Sequence, residues 1–211
     1  LRTKMETDFT KDVFDSPTKF THVFLNLMKL MKPLFMGLVA LHTNEISHND
    51  IKADNIMVDD TTGCKYIDFG LASHYSNDNF FKKRGMSEFA CDRVYPPYPY
   101  EFIYLYANKE LLEEEKEAKK LDIYRELHDR YVQVHEGLFK RMKTKHYTLT
   151  LINRYIKEIN KINKYERNGI IAGLDTYGLG MLIPRNLWKL AKKYNKVSKL
   201  RELLYNTKLR S

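Results

Sequence analysis

Cysteine is nearly absent: Cys64 and Cys91 are the only two in 211 residues. One bridge at most excludes a disulfide framework and points to a reducing compartment, the cytoplasm. The lack of any Asn-x-Ser/Thr acceptor fits the same compartment. Glycine is sparse as well, nine in all, with no glycine-rich phosphate-cradling loop, no Gly/Ser linker and no internal repeat. One domain with a real hydrophobic core is therefore expected. No long uninterrupted apolar run is present. The most apolar stretch, 23–41, is broken by Asn26, Lys29, Lys32 and Pro33, which argues against a membrane span. No secretory leader is visible, and the sequence opens on Leu1 rather than Met, so the natural start is expected upstream. Acid is the scarcer charge: 27 Asp+Glu face 36 Lys+Arg, a formal +9. That excess suits acidic partners or acidic substrate segments. It does not indicate nucleic acid, because no aromatic-basic RNA motif or zinc signature accompanies it.

What is present is a dense polar run, His48-Asn49-Asp50-Ile51-Lys52-Ala53-Asp54-Asn55, followed by Asp68-Phe69-Gly70. Between them lie Ile56-Met57-Val58, a polar turn from Asp59 to Gly63, and Lys65-Tyr66-Ile67. Two short apolar runs around a polar turn predict a β-hairpin, which carries Asp68 back toward Asn55. The residue types match the needs of phosphoryl transfer. Asp50 can orient a hydroxyl and accept its proton, Asn55 and Asp68 can hold metal, and Lys52 places a cation against developing phosphate charge.

At these residues the chain resembles the protein kinase family, in its large C-terminal lobe. His48-Asn49-Asp50 is similar to the HRD triplet, 50–55 to the catalytic loop, and Asp68-Phe69-Gly70 to the DFG start of the activation segment. The resemblance implies a mainly α fold, a helical bundle with a small β-hairpin by the catalytic loop, plus a helical insertion and with the N-lobe absent from this chain. Lys52 favours the serine/threonine type. ATP and Mg²⁺ (or Mn²⁺) are the implied nucleotide and metal, and a protein hydroxyl is the implied acceptor. His48, Phe69, Gly70 and Asp175 are implied to support the site structurally, with His48 packing on Phe69. Asp175-Thr176-Tyr177-Gly178-Leu179-Gly180 resembles the helix whose Asp anchors the catalytic-loop backbone. Met57 matches the apolar floor under adenine.

The opening run, Leu1 to Phe9, resembles the hinge between lobes. On that likeness Thr3 to Met5 present backbone groups to an adenine edge and Asp8 lies near the ribose. On the residues alone it reads equally as a loop with an Asp helix cap. The resemblance divides the single domain into a hinge-like start (1–9), catalytic and metal loops (48–70), an activation segment (71–93), a helical insertion (94–171) and scaffold helices (172–211). A long amphipathic helix is expected over 20–42, with Phe24, Leu27, Met28, Met31, Phe35, Leu38, Val39 and Leu41 on one buried stripe, bent or broken at Pro33. A basic amphipathic helix or pair is expected over 186–210, with Trp188, Leu190, Tyr194, Val197, Leu200, Leu203 and Leu204 buried.

Several positions depart from the pattern. Asn49 replaces the Arg that normally receives an activation-segment phosphate, so control by such phosphorylation is not expected. Met86 stands where a Thr usually bonds the catalytic Asp, and either Asp92 or Glu101 takes the part of the APE acid. These departures are similar to casein-kinase-like and vaccinia-related kinases. The insertion-bearing, Lys- and Asn-rich character is similar to kinases of large DNA viruses or AT-rich protists, which would place the protein in host cytoplasm or virion. Residues 94–171 read as solvated helical faces or as a docking insert for a partner. The alternative function is a catalytically inactive kinase-like interaction or structural component.

Overall fold

The computed structural model describes residues 1–59, 61–77, Phe80 and 164–206. The expectations for Met86, Asp92, Glu101 and the helical insertion up to 163 lie outside the described residues. The elements in order are α1 (Arg2–Asp8), α2 (Lys11–Asp15), α3 (Pro17–Thr43), β1 (Ile46–Ser47), β2 (Ile56–Asp59), β3 (Gly63–Tyr66), β4 (Ser73–His74), α4 (Lys164–Lys193) and α5 (Val197–Asn206). Short 3-10 turns occupy Ala53–Asn55 and Phe69–Leu71. The described residues are mainly helical, with two two-stranded antiparallel sheets. It falls into two compact units, the first holding 1–44, 50–72 and the chain from Gly178 on, the second holding 45–49 and Ser73 to Tyr177.

The first unit contains the apolar core. Phe9, Phe14 and Phe20 are fully buried, with ring centroids 5.7–6.4 Å apart. Each such burial is worth roughly 2 kcal/mol by area. Ser16 caps α3 by accepting from Lys19 N–H, and Pro17 stands at the start, where its missing N–H costs nothing. The buried stripe of α3 is Phe20, Leu27, Met31, Leu34 and Leu38, spaced at helical steps. Phe35 and Val39, expected on that stripe, are exposed instead, together with Leu25 and Met36. The helix is apolar almost all round, so spacing alone did not select between Leu34 and Phe35. By length and composition α3 is also the helix among the described residues apolar enough to cross a membrane, while its buried stripe belongs to the core. The helix runs through Pro33 without a break.

The hairpin pairs Ile56 with Tyr66, Met57 with Lys65, Val58 with Cys64 and Asp59 with Gly63. Asp59 Oδ1 accepts from Thr61 and Thr62 N–H, both at 2.8 Å, and these bonds hold its carboxyl below the usual range. Gly63 has φ of 82°, and a Cβ there would lie 2.9 Å from Leu30 O and from Pro33 Cγ. Tyr66 Oη donates to Leu34 O at 3.0 Å, and its ring lies where Gly37 has no side chain. The hairpin is thus seated on α3 by two glycines.

At the far end, α4 stops in a left-handed cap. Asn195 has φ of 55°, its N–H bonds Lys192 O, and Lys196 N–H bonds Ala191 O. That pair of bonds is a Schellman motif, with Asn in place of Gly. Lys196 Nζ then reaches Asp15 of α2 at 2.5 Å, and Tyr194 packs on Phe14. Leu190, Leu200 and Leu203 are buried as expected from the sequence, but Leu204 is exposed. α4 runs through the 171/172 position. In the second unit β1 pairs with β4, Ile46 opposite His74 and Ser47 opposite Ser73, and Arg167 Nη1 donates to Tyr75 O at 2.7 Å.

Candidate active site

Asp175 lies on α4 and is buried. Its Oδ2 accepts His48 N–H at 2.6 Å, and its Oδ1 accepts Asn49 N–H at 2.9 Å. Ser47 Oγ is 3.1 Å from Asp175 Oδ2 and 2.8 Å from Asn49 Oδ1, one hydroxyl shared between two acceptors. Burial pushes the Asp175 carboxyl up from its ordinary value, and the donors from His48, Asn49 and Ser47 work against that rise. Two consecutive backbone donors are satisfied by one carboxylate, which fixes the backbone at His48 and Asn49.

Asn49 supplies the second constraint. Its φ is 61°, a left-handed conformation that Asn tolerates better than most side chains. Its amide bonds back onto Ser47, Nδ2 to Ser47 O at 3.2 Å. Asn49 stands where the resemblance expects an Arg, and in the structure it is buried and bonded to Ser47. Ser47, which sequence reasoning did not single out, is the centre of this group. A Ser directly before a His-Asn-Asp run carried no pattern that could have marked it.

Within the first unit, Asp50, Lys52 and Asn55 come together. Asp50 Oδ2 accepts from Lys52 Nζ and from Asn55 Nδ2, both at 2.7 Å, and Asp50 O accepts from Asn55 Nδ2 at 3.0 Å. Asp50 and Asn55 are buried, whereas Lys52 is partly exposed. The two acceptors on Asp50 require the NH₂ group of Asn55, so the amide orientation follows from the network. Asn55 Oδ1 has no hydrogen-bond partner among the described residues.

Asp68 enters from the other side of the hairpin. Ile67 N–H donates to Asn55 O at 3.0 Å, holding the residue before Asp68 against Asn55. Asp68 has φ of 62°, is exposed, and bonds Gly70 N–H at a long 3.4 Å. A weakly held carboxylate and a spare amide oxygen fit a hard divalent cation such as Mg²⁺, which takes few protein ligands and keeps water or phosphate for the rest. Among the described residues no group of three or more His, Cys, Asp or Glu offers an alternative metal site.

The remaining expected residues differ in place. Met57 is half exposed on β2, on the face opposite buried Ile56. Met5 is not presented outward. It is buried in α1, where its N–H bonds Leu1 O at 3.0 Å and its carbonyl accepts Phe9 N–H at 2.9 Å. The 2–8 run has no strand to pair with among the described residues, and contains neither Gly nor Pro. A helix satisfies its backbone instead, aided by the Lys4–Asp8 pair at 3.2 Å. Asp8 ends that helix and is not a cap. Phe69, expected to pack, is half exposed, since the 3-10 turn that carries it has no buried residue.

The family described as "Protein kinase domain" matches over residues 5–125, more than half of the chain. The chain is 45% identical over 49 residues to "Cyclin-dependent kinase C-1" of Arabidopsis thaliana, covering 23% of this chain and 10% of that protein. It is 42% identical over 48 residues to "Cell division control protein 2 homolog 2" of Pisum sativum, covering 23% and 32%. It is 46% identical over 43 residues to "CTD kinase subunit alpha" of Saccharomyces cerevisiae, covering 20% and 8%. The matching stretch thus spans about a third or less of these relatives. No solved structure matches the chain.

Proposed function

The chain belongs to the protein kinase family, and from that premise we propose that it forms the catalytic lobe of an ATP-dependent serine/threonine kinase. The observation that carries this reading is the Asp50–Lys52–Asn55 network, with both cation and amide directed at one carboxylate oxygen. The acceptor hydroxyl is held by Asp50, which takes its proton as the oxygen attacks the γ-phosphorus. The new O–P bond forms as the bond to the β–γ bridging oxygen breaks, giving a phosphoester and ADP. Lys52, paired to Asp50, places positive charge beside the transferring group. Asn55 Oδ1 and Asp68 are the groups that would hold Mg²⁺, which when bound neutralises charge on the phosphate oxygens.

The second reading, an inactive kinase-like interaction component, draws on two observations. Met5 spends its backbone inside α1, and Phe69 is exposed. One measurement separates the two. Full-length protein with Mg-ATP and a mixed protein substrate is expected to transfer labelled phosphate to serine or threonine. Asp50→Asn is expected to lower the rate by about a hundredfold or more while the fold is kept. Equal rates for the two proteins would sink the catalytic reading.

A further inference from the structure

α3 carries two stripes, one on each side. Phe20, Leu27, Met31, Leu34 and Leu38 are buried in the core. At about 100° per residue, Leu25, Lys29, Lys32, Met36, Val39 and Thr43 fall on the opposite side, and all six are exposed. Leu25, Met36 and Val39 are 53%, 63% and 61% exposed, and Phe35, at the edge of the stripe, 44%. Of the most apolar 18-residue window of this helix only 22% is buried. A helix that served the core alone would bury most of such a window. Single exposed apolar residues are ordinary on a protein surface, but four along one helix face make a patch.

The charge on this face has one sign. No Asp or Glu occurs anywhere in Pro17–Thr43, whereas Lys19, Lys29 and Lys32 do. Lys19 is paired with Asp12, while Lys29 and Lys32 have no hydrogen bond or ion pair among the described residues. The nearest acids along the chain, Asp15 and Glu45, lie beyond the two ends of the helix and face Lys196 and His74. Lys29 follows Leu25 by one turn, and Lys32 precedes Met36 by one turn. A lysine stem lies along apolar surface while its ammonium stays in a polar layer. The face is therefore complementary to an apolar layer with anions directly above it.

We propose that the outer face of α3 docks on an anionic lipid bilayer. Leu25, Met36 and Val39 enter the boundary of the acyl chains, and Lys29 and Lys32 meet the anionic headgroups. A bilayer surface supplies both layers in that order. A span is excluded by the buried stripe, which ties the helix to Phe9, Phe14 and the Tyr66 hydroxyl. A second copy of the chain fits less well. A two-fold contact lays the stripe against itself, so Lys29 and Lys32 would meet like charge with no carboxylate on the helix. The docking face goes beyond the kinase reading and is independent of Asp50 and Asn55.

The test mixes the 211-residue chain with sucrose-loaded vesicles of phosphatidylcholine, with and without phosphatidylserine, and reads the bound fraction by sedimentation. Binding to the anionic vesicles is expected to be about tenfold tighter than to the neutral ones, and to weaken as salt rises. Lys29→Ala with Lys32→Ala is expected to lose about tenfold on the anionic vesicles and nothing on the neutral ones. Leu25→Gln with Met36→Gln is expected to lose about tenfold on both. All four positions are exposed, so both double variants are expected to keep the urea midpoint of the native chain. A formal +9 draws a chain to anionic vesicles wherever its charges lie. Binding that neither double variant moves comes from that charge at large and overturns the docking face, as does no binding to the anionic vesicles. A lowered urea midpoint in Leu25→Gln with Met36→Gln means that the chain itself covers the face. A lipid-free dimer that the same variant splits, seen by sedimentation velocity, means that a second copy covers it. Either result overturns the proposal.

Discussion

Asp175 and Asn49 set the geometry of the loop one residue at a time. Replacing Asp175 by Ala leaves the N–H groups of His48 and Asn49 buried without an acceptor, which is expected to cost roughly 1–3 kcal/mol of stability and to lower any transfer rate. Asp175→Asn places an NH₂ group against one of those donors and is expected to lose a similar amount. The two variants share a second signature. Because burial raises the Asp175 carboxyl in the folded state from 3.8, the folded protein keeps a proton that the unfolded chain releases. Stability contributed at low pH is therefore lost as pH rises above that ordinary value through the raised one. Urea unfolding across that range is expected to show this decline in the native chain and to lose its Asp175 component in Asp175→Asn. An identical pH profile in both would show that Asp175 does not titrate there. At Asn49, Ala keeps the left-handed backbone but not its tolerance, so Asn49→Ala is expected to destabilise by about 1–2 kcal/mol. Asn49→Gly is expected to cost less than Asn49→Ala, since it relieves φ of 61° while losing the same bonds to Ser47. The reverse order would place the energy in the side chain alone.

At the scale of elements, the hairpin and α3 behave as one piece. Gly63→Ala combines a positive φ with a Cβ 2.9 Å from a backbone oxygen, and the backbone of a helix cannot step aside. About 1–3 kcal/mol is expected, read as a lower denaturant midpoint with unchanged slope. Gly37→Ala, facing only the Tyr66 ring at 3.3 Å, is expected to be milder. The hairpin was legible in the sequence because its determinants are local: Asp59 and Gly63 fix the turn, and alternation fixes which of Ile56 and Met57 is buried. The grouping of Asp50, Lys52 and Asn55 was legible for the same reason, six residues being enough to carry it. The stripe of α3 was only partly legible, since apolar residues on nearly every side leave the choice to tertiary partners such as Tyr66. The conformation of 2–8 was not legible at all. A likeness to a hinge carries no backbone pairing of its own, and the run satisfies its backbone within α1, with the Lys4–Asp8 pair along one face.

The whole molecule carries a family resemblance whose chemistry sits in a small part of its length. Its 211 residues contain no glycine-rich loop to cover phosphates, so the chain alone is expected to transfer no measurable phosphate to a peptide. Robust transfer by it unaided would mean that the nucleotide is held in a way this site does not suggest. Control is expected to differ from the phosphate-switched pattern. Asn49 is turned onto Ser47 and offers no cation, and Ser73 and Tyr75 are buried. Phosphatase treatment of the full-length protein is therefore expected to leave activity unchanged, and loss of activity on treatment would refute this account of its regulation.

The latch at Asp175 also has a consequence in time. The donors of Ser47, His48 and Asn49 meet a carboxylate 126 to 128 residues further along the chain. A ribosome adding about 5–20 residues per second makes the loop on the order of ten seconds before it makes the residue that holds it. Through that interval α3 and the hairpin can already assemble, since their contacts are closer in sequence, while the His48 and Asn49 amides have only water. The loop is then closed by contacts 126 to 128 residues apart, and the entropy of closure falls due only when α4 emerges. Nascent chains stalled before Asp175 would carry the polar residues of the site without its shape.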